Sequence, residues 1–191
     1  MLTHSSLLFE YETSRLILRI LQKDSANMVL DFLMEGASIF ELSEPPKHEE
    51  FYTQSYQRLV LEYEQNMLKE KSSLRFWVFD KQNLKSPIGT VVFSYAKGAP
   101  FYSCMIGYKL LPAYWGKGFA HEAIERALSI AIPFFKLHRI EAFVLPDNQP
   151  SIQLLEKLHF EKEGTLKQSF YVQNQWKDHE LYTFINPYFI V

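Results

Sequence analysis

The period of the apolar positions changes several times along this chain. In SRLILRIL (14–21), Leu16, Leu18 and Ile20 alternate with Arg15, Ile17, Arg19 and Leu21, which predicts a first strand. Asp24 or Ser25 then opens a helix to about Met34, with Met28 and Phe32 at helical spacing. SEPPKHEE (43–50) interrupts the pattern at Pro46. A longer helix is predicted over about 49–70, where Tyr52, Tyr56, Leu59, Tyr63 and Met67 step by three and four, a stripe that reads as core packing. Period two returns at Leu74. LRFWVFD (74–80) and IGTVVFSYA (88–96) form a hairpin, and FYSCMIGYKLL makes a third strand at about 101–111. A loop then opens a helix over roughly 118–132, ended or kinked by Pro133. A strand at 138–145, a short helix at 151–159 and two strands between Phe160 and Phe189, joined by a polar turn at 173–175, complete the chain. Strand, loop, helix and strand over 101–145 are a crossover unit, so its two strands run parallel. The pattern predicts one α+β domain over 1–191, without repeat or linker.

Composition narrows the class. With 191 residues, 47% hydrophobic and 22% charged, the chain is globular, which excludes disorder, collagen and coiled coil. Sixteen Phe and 11 Tyr point to a large core or an aromatic-lined cleft. A net charge of −2 gives no reason to expect nucleic acid or an anionic membrane as partner. The single cysteine, Cys104, excludes an internal disulfide, and six scattered histidines without ligand spacing lead us to expect no metal. The N-terminal stretch has no basic region leading into an apolar run, and AIPFF (131–135) is too short to cross a bilayer, so a cytoplasmic protein is expected.

WGKGFA (115–120) carries the chemistry. Glycines spaced by one residue let backbone approach a ligand, and the helix that follows offers unpaired N–H groups and a positive dipole end, together a seat for phosphate or pyrophosphate. A P-loop would need GxxxxGK followed by a hydroxyl; here Lys117 precedes Gly118 and no hydroxyl follows. Gly116-x-Gly118, with Glu141 about twenty residues on, is a partial dinucleotide fingerprint. His121 stands at the third glycine position, and the loop does not follow a first strand.

GYKLLPAYWGKGFAHEA (107–123), HRIEAFVLPDNQPSIQLLEKLHF (138–160) and EGTLKQSFYVQNQWKDHELYTF (163–184) closely resemble the GNAT N-acetyltransferases, and most of all the RimJ/RimL branch, named for enzymes that acetylate the N-terminal amine of ribosomal proteins. TSRLILRIL (13–21) also fits that branch. The resemblance implies a GNAT fold, a mixed sheet of six or seven strands with two parallel strands splayed, flanked by about four helices, and acetyl-CoA as co-substrate.

The same resemblance implies the site. Pyrophosphate would be gripped by backbone N–H groups of Gly116, Lys117, Gly118, Phe119, Ala120 and His121, although Trp115 stands where the family signature has Gln or Arg. Tyr108 and Leu110 would pair with the pantetheine arm through backbone. Asn148 would bond pantetheine amides, and Ser151 would protonate the leaving thiolate; either also reads as a cap of the helix that begins there. The family's Tyr acid, seven residues after the Asn, is replaced by Leu155. His159 stands where the family has a helix-ending glycine, which implies a stability cost.

Aminolysis of a thioester needs a neutral amine. At pH 7 an α-amine of pKa about 7.7–8.0 is about 10–17% neutral, and a lysine about 0.04%. An α-amine therefore needs only a weak base and good positioning. Glu141, on the second splayed strand, is the candidate base, unless it pairs with Arg139; His121, Tyr182 and Asp178 are weaker candidates. Eight acids between 35 and 70 (Glu35, Glu41, Glu44, Glu49, Glu50, Glu62, Glu64, Glu70) either draw a cationic acceptor or form a solvated surface. The expectation is an acetyl-CoA-dependent N-acetyltransferase acting on the N-terminal α-amine of a protein. The alternatives are a small-molecule amine (polyamine, aminoglycoside or amino-acid-like) and a non-catalytic acyl-CoA-binding sensor. A monomer or a homodimer is compatible with the sequence.

Overall fold

Period-two apolar runs fold as strands because pairing satisfies their backbone groups while the side chains are buried. The computed structural model describes residues 7–190. Residues 1–6, part of the stretch read as lacking a targeting signal, and Val191 lie outside the described residues. Eight strands form one sheet: β1 (Glu10–Glu12), β2 (Leu16–Arg19), β3 (Leu74–Asp80), β4 (Gly89–Lys97), β5 (Ser103–Leu110), β6 (Arg139–Val144), β7 (Glu161–Val172) and β8 (Gln175–Ile185), in the order β1-β2-β3-β4-β5-β6-β8-β7. The helices are α1 (Ala26–Phe40), α2 (Gln54–Lys69), α3 (Phe119–Phe135) and α4 (Gln149–Lys157). Among the described residues no helix is long and apolar enough to cross a membrane.

Only β5 and β6 run parallel. They pair at Ser103↔Arg139, Cys104↔Ile140 and Met105↔Glu141 and then part, although β5 continues to Leu110 and β6 to Val144. The expected α+β fold with splayed parallel strands is therefore present, with one strand more than foreseen. The extra strand is β1, whose sequence EYE has no apolar alternation to announce it.

Two apolar clusters hold the helices to opposite faces. On one, Cys104, Ile106, Ile140, Ala142 and Val144 pack with Ala123, Ile124 and Ala127 of α3 and Leu155 of α4. On the other, Ile17, Trp77 and Phe79 pack with Val29 and Phe32 of α1 and Leu61 of α2. Side chains alternate between these faces along each strand, which decides below what each site residue touches.

Three boundaries differ from expectation. The first helix runs on to Phe40 because Leu33, Gly36 and Phe40 stay buried. The second begins later: 49–52 is a single 3-10 turn, and Thr53, with extended backbone, caps α2 by accepting the Tyr56 N–H at 3.3 Å. The third passes through exposed Pro133, which lies two residues from the helix end and so removes a single hydrogen bond, while Ile130, Ala131 and Phe135 remain buried. The tail hairpin turns at Gln173 and Asn174, both at positive φ (52° and 59°), within the foreseen polar turn.

His159, just past α4, has φ of 63°, a left-handed conformation that costs a residue with a Cβ about 1 kcal/mol. His159→Gly should therefore raise the thermal midpoint by about 2–4 °C in an unfolding scan.

Candidate active site

Where β5 and β6 part, the backbone of β5 loses its neighbour. The Leu111 N–H donates to the Ile88 carbonyl, which makes Gly89↔Leu110 a non-hydrogen-bonded pair of the β4–β5 ladder. Tyr108, two residues back, sits in the same phase, so Tyr108 and Leu110 turn their backbone N–H and C=O groups toward the gap. The Leu110 carbonyl accepts from the Trp115 indole at 2.8 Å, leaving Tyr108 to present backbone groups in mid-gap. Trp115, which departs from the family signature, thus ties the loop to the strand end.

The loop itself has the conformation its glycines permit. Gly116 and Gly118 take φ of 69° and 79°, and Gly118 caps α3. Lys117 spends its ammonium on the Ala113 carbonyl at 2.7 Å. Phe119, Ala120 and His121 form the half-buried first turn of α3. Arg15 clamps this turn: its guanidinium lies 4.4 Å over the Phe119 ring, donates to the Lys117 carbonyl at 2.8 Å and pairs with Glu122 at 2.6 Å. Burial pushes the Glu122 carboxyl up, but donors from Thr13, Ser14 and Arg15 outweigh it and hold it at about 2.

A cavity of about 410 Å³ passes through the gap. On the α3/α4 face it meets Asn148, Ser151, Leu155 and Tyr108. Asn148 caps α4, its Oδ1 accepting the Ser151 N–H at 3.3 Å. Tyr108 brings something the sequence reading missed: its phenol oxygen lies 2.7 Å from Ser151 Oγ. Burial pushes that phenol up to about 12, so it remains a donor.

The other face is walled by Phe143, His179, Lys109, Lys47, Glu44, Arg75 and Glu64. Lys109 donates to Glu44 at 2.5 Å, with Lys47 3.3 Å away on the second carboxylate oxygen; Arg75 pairs with Glu64 at 2.6 Å. Burial raises the Glu44 pKa, but the two ammonium groups overcome it and hold the carboxyl below its ordinary value. Sequence reasoning named Glu44 and Glu64 only among eight acids that either draw a cationic acceptor or form a solvated surface. Lys109 and Arg75 carried no signal beyond their place on inward-facing strands.

Glu141 does not line this cavity. It sits where β5 and β6 are still paired, and Arg139, 2.7 Å away, holds its carboxylate while also gripping Glu163 through two bonds. The paired alternative foreseen for Glu141 is the arrangement found, and the base assignment is withdrawn on that ground. His121 stays with the loop; Tyr182 packs in the α3/α4 core, and Asp178 accepts the Gln168 N–H at 2.8 Å. Cys104 is buried, its thiol pushed up to about 12 by burial with Glu141 nearby, which removes it as a nucleophile.

A seat for an anion at a helix start, a gap that exposes strand backbone, and a through-going cavity are arranged as acyl transfer requires, with donor entering from one face and acceptor from the other. Residues 15–161 match the acetyltransferase (GNAT) domain family. The ribosomal protein uS5-alanine N-acetyltransferase of Escherichia coli (strain K12) is 31% identical over 175 residues, covering 92% of this chain and 90% of the relative. The structure of ribosomal-protein-S5-alanine acetyltransferase from Vibrio fischeri superposes with a TM-score of 0.90 at 28% identity, over 95% of this chain and 99% of that one. Mycobacterium smegmatis RimJ, solved in complex with CoA-disulfide, gives a TM-score of 0.82 at 23% identity over 89% and 81%. The chain belongs to the GNAT N-acetyltransferases, in their RimJ/RimL branch.

Proposed function

We propose that the protein transfers the acetyl group of acetyl-CoA directly to the N-terminal α-amine of a protein. The residues present fit such a donor. The N-terminus of α3, with its two left-handed glycines, suits the pyrophosphate, and the backbone of Tyr108 suits the pantetheine amides. Acetyl-CoA supplies an activated acyl carbon. A backbone N–H in the gap polarises the thioester carbonyl, and Ser151, oriented by Tyr108, gives a proton to the departing sulfur.

One observation carries the choice of acceptor. On the acceptor face, both wall carboxylates are already ion-paired, and three cations (Lys47, Lys109, Arg75) outnumber the two acids (Glu44, Glu64). The other six acids of the 35–70 region stand outside the cavity. A polyamine therefore finds no unpaired carboxylate there. A peptide N-terminus brings one ammonium and a chain of carbonyls that accept from those cations.

The test is mass spectrometry of products from acetyl-CoA with a peptide beginning Ala, with spermidine and with an aminoglycoside. The peptide should be acetylated at its α-amine with kcat/KM at least tenfold above either competitor. Preference for spermidine would replace the protein acceptor with a small one. Tight CoA binding without any product would make the protein a sensor.

A further inference from the structure

With Glu141 removed from the cavity, the acceptor amine lacks a proton acceptor. We infer that His179 is the general base of the transfer, taking the proton from the attacking amine at Nε2. The inference rests on the acyl-transfer reading above and adds a residue that the sequence motifs do not supply.

Sidedness comes first. On β8, Tyr182 and Phe184 face α3 and α4 with Ala142 and Ile140, their partners across the strand pair. His179 has the opposite phase and shares the other face with Phe143. Ser151 and Tyr108 occupy the donor side of the gap, so base and acid stand on opposite sides of the reacting carbonyl. A ternary complex requires that arrangement, because the amine arrives from one face and the thiolate leaves toward the other. Both His179 and Ser151 belong to the wall of the one cavity.

The tautomer is also fixed. His179 Nδ1 lies 3.2 Å from the Lys177 carbonyl, which only accepts, so Nδ1 carries the hydrogen and Nε2 keeps its lone pair. Ser169 Oγ, 3.3 Å from the same nitrogen, is a second acceptor for that hydrogen. Nε2 makes no hydrogen bond among the described residues. The ring is held edge-on by Phe170 at 4.7 Å, itself packed on Phe143. The surrounding charges are Lys177 and Asp178 on its own strand and, across the cavity, Lys47, Lys109 and Arg75 with Glu44 and Glu64; β6 and β7 present Phe143, Phe170 and Ser169. Burial lowers the imidazole pKa from its ordinary value, against the pull of the Lys177 carbonyl and Asp178, so the ring is neutral at pH 7.

The step balances. The C–N bond forms, Nε2 takes the proton that the amine nitrogen sheds, the C–S bond breaks, and Ser151 Oγ–H protonates the sulfur. Solvent then takes the imidazolium proton and returns one to Ser151 Oγ, which resets both groups.

The experiment is the pH profile of kcat/KM from pH 5 to 9, using whichever amine of the panel above the wild type acetylates best. Below the lowered His179 pKa both the imidazole and the amine must lose a proton, so log kcat/KM should rise there with a slope of two. Between that point and the amine pKa the slope should fall to one. His179→Gln should lose about 100-fold in kcat/KM at pH 7 and keep a slope of one throughout, with CoA affinity within threefold of wild type. His179→Ala should recover at least tenfold when imidazole is added. His179→Gln within threefold of wild type, or His179→Ala without recovery on adding imidazole, would overturn the assignment. Failure of peptides alone would overturn only the α-amine reading, since the profile is then taken on the amine that reacts.

Discussion

Ser151→Ala is expected to lower kcat about 100-fold in single-turnover acetylation while the CoA dissociation constant stays within threefold. The serine contributes to the helix through its backbone, whose N–H bonds Asn148 at its Oδ1 and its carbonyl, and these bonds survive the substitution. The change therefore removes a hydroxyl and nothing of the fold beyond one hydrogen bond to Tyr108, about 1 kcal/mol of stability. A positioned acid is worth about 10²–10⁴ in rate. The lower figure applies because the Tyr108 phenol, held as a donor by burial, remains nearby. Tyr108→Phe should cost only about tenfold, since Ser151 keeps its proton and loses its orientation. Because the phenol stands in for the missing hydroxyl, the double variant should fall at least about tenfold below Ser151→Ala. Retention of more than a third of wild-type kcat by Ser151→Ala would exclude the serine as proton donor.

The donor half of the site was legible because its chemistry is local. WGKGFA needs backbone at positive φ next to a helix start, and glycines advertise that in sequence; strand, loop and helix are consecutive, so the order alone gives the crossover and the gap. The acceptor half is assembled from distant segments. Glu44 comes from the loop after α1, Arg75 from β3, Lys109 from β5 and His179 from β8, and only the sheet brings them to one wall. Glu141 misled for a related reason. Period two placed it on the correct face of the correct strand, but the depth at which β5 and β6 part is a property of register, and Glu141 falls on the closed side of that point. The Tyr108 phenol was missed because alternation assigns a face and says nothing of a hydroxyl arriving from α4.

That register also explains why two glycines of neighbouring strands should respond differently to the same substitution. Gly89 opens β4 beside the end of β5. A Cβ there would stand 2.5 Å from the Lys109 carbonyl oxygen and 2.8 Å from Leu110 Cγ. The first contact is backbone, so relief requires β5 itself to move, and both residues lie in the fully packed centre of the sheet. Gly89→Ala should therefore cost about 3 kcal/mol, as overpacking at its upper range does, and lower the thermal midpoint by about 6–12 °C. Gly107, on β5, is the contrast: a Cβ there meets only Val92 Cγ1 at 3.4 Å, and the residue lines the acceptor cavity. Gly107→Ala should leave the midpoint within about 2 °C, and its methyl group should raise the acceptor KM severalfold with the KM for acetyl-CoA unchanged. Differential scanning calorimetry on the two variants, followed by kinetics on the second, reads both effects. A Gly89→Ala protein with a wild-type midpoint would mean that β4 and β5 are not clamped at the mouth of the gap. The fixed spacing from which Tyr108 and Leu110 present their backbone would then be lost as an explanation of donor binding.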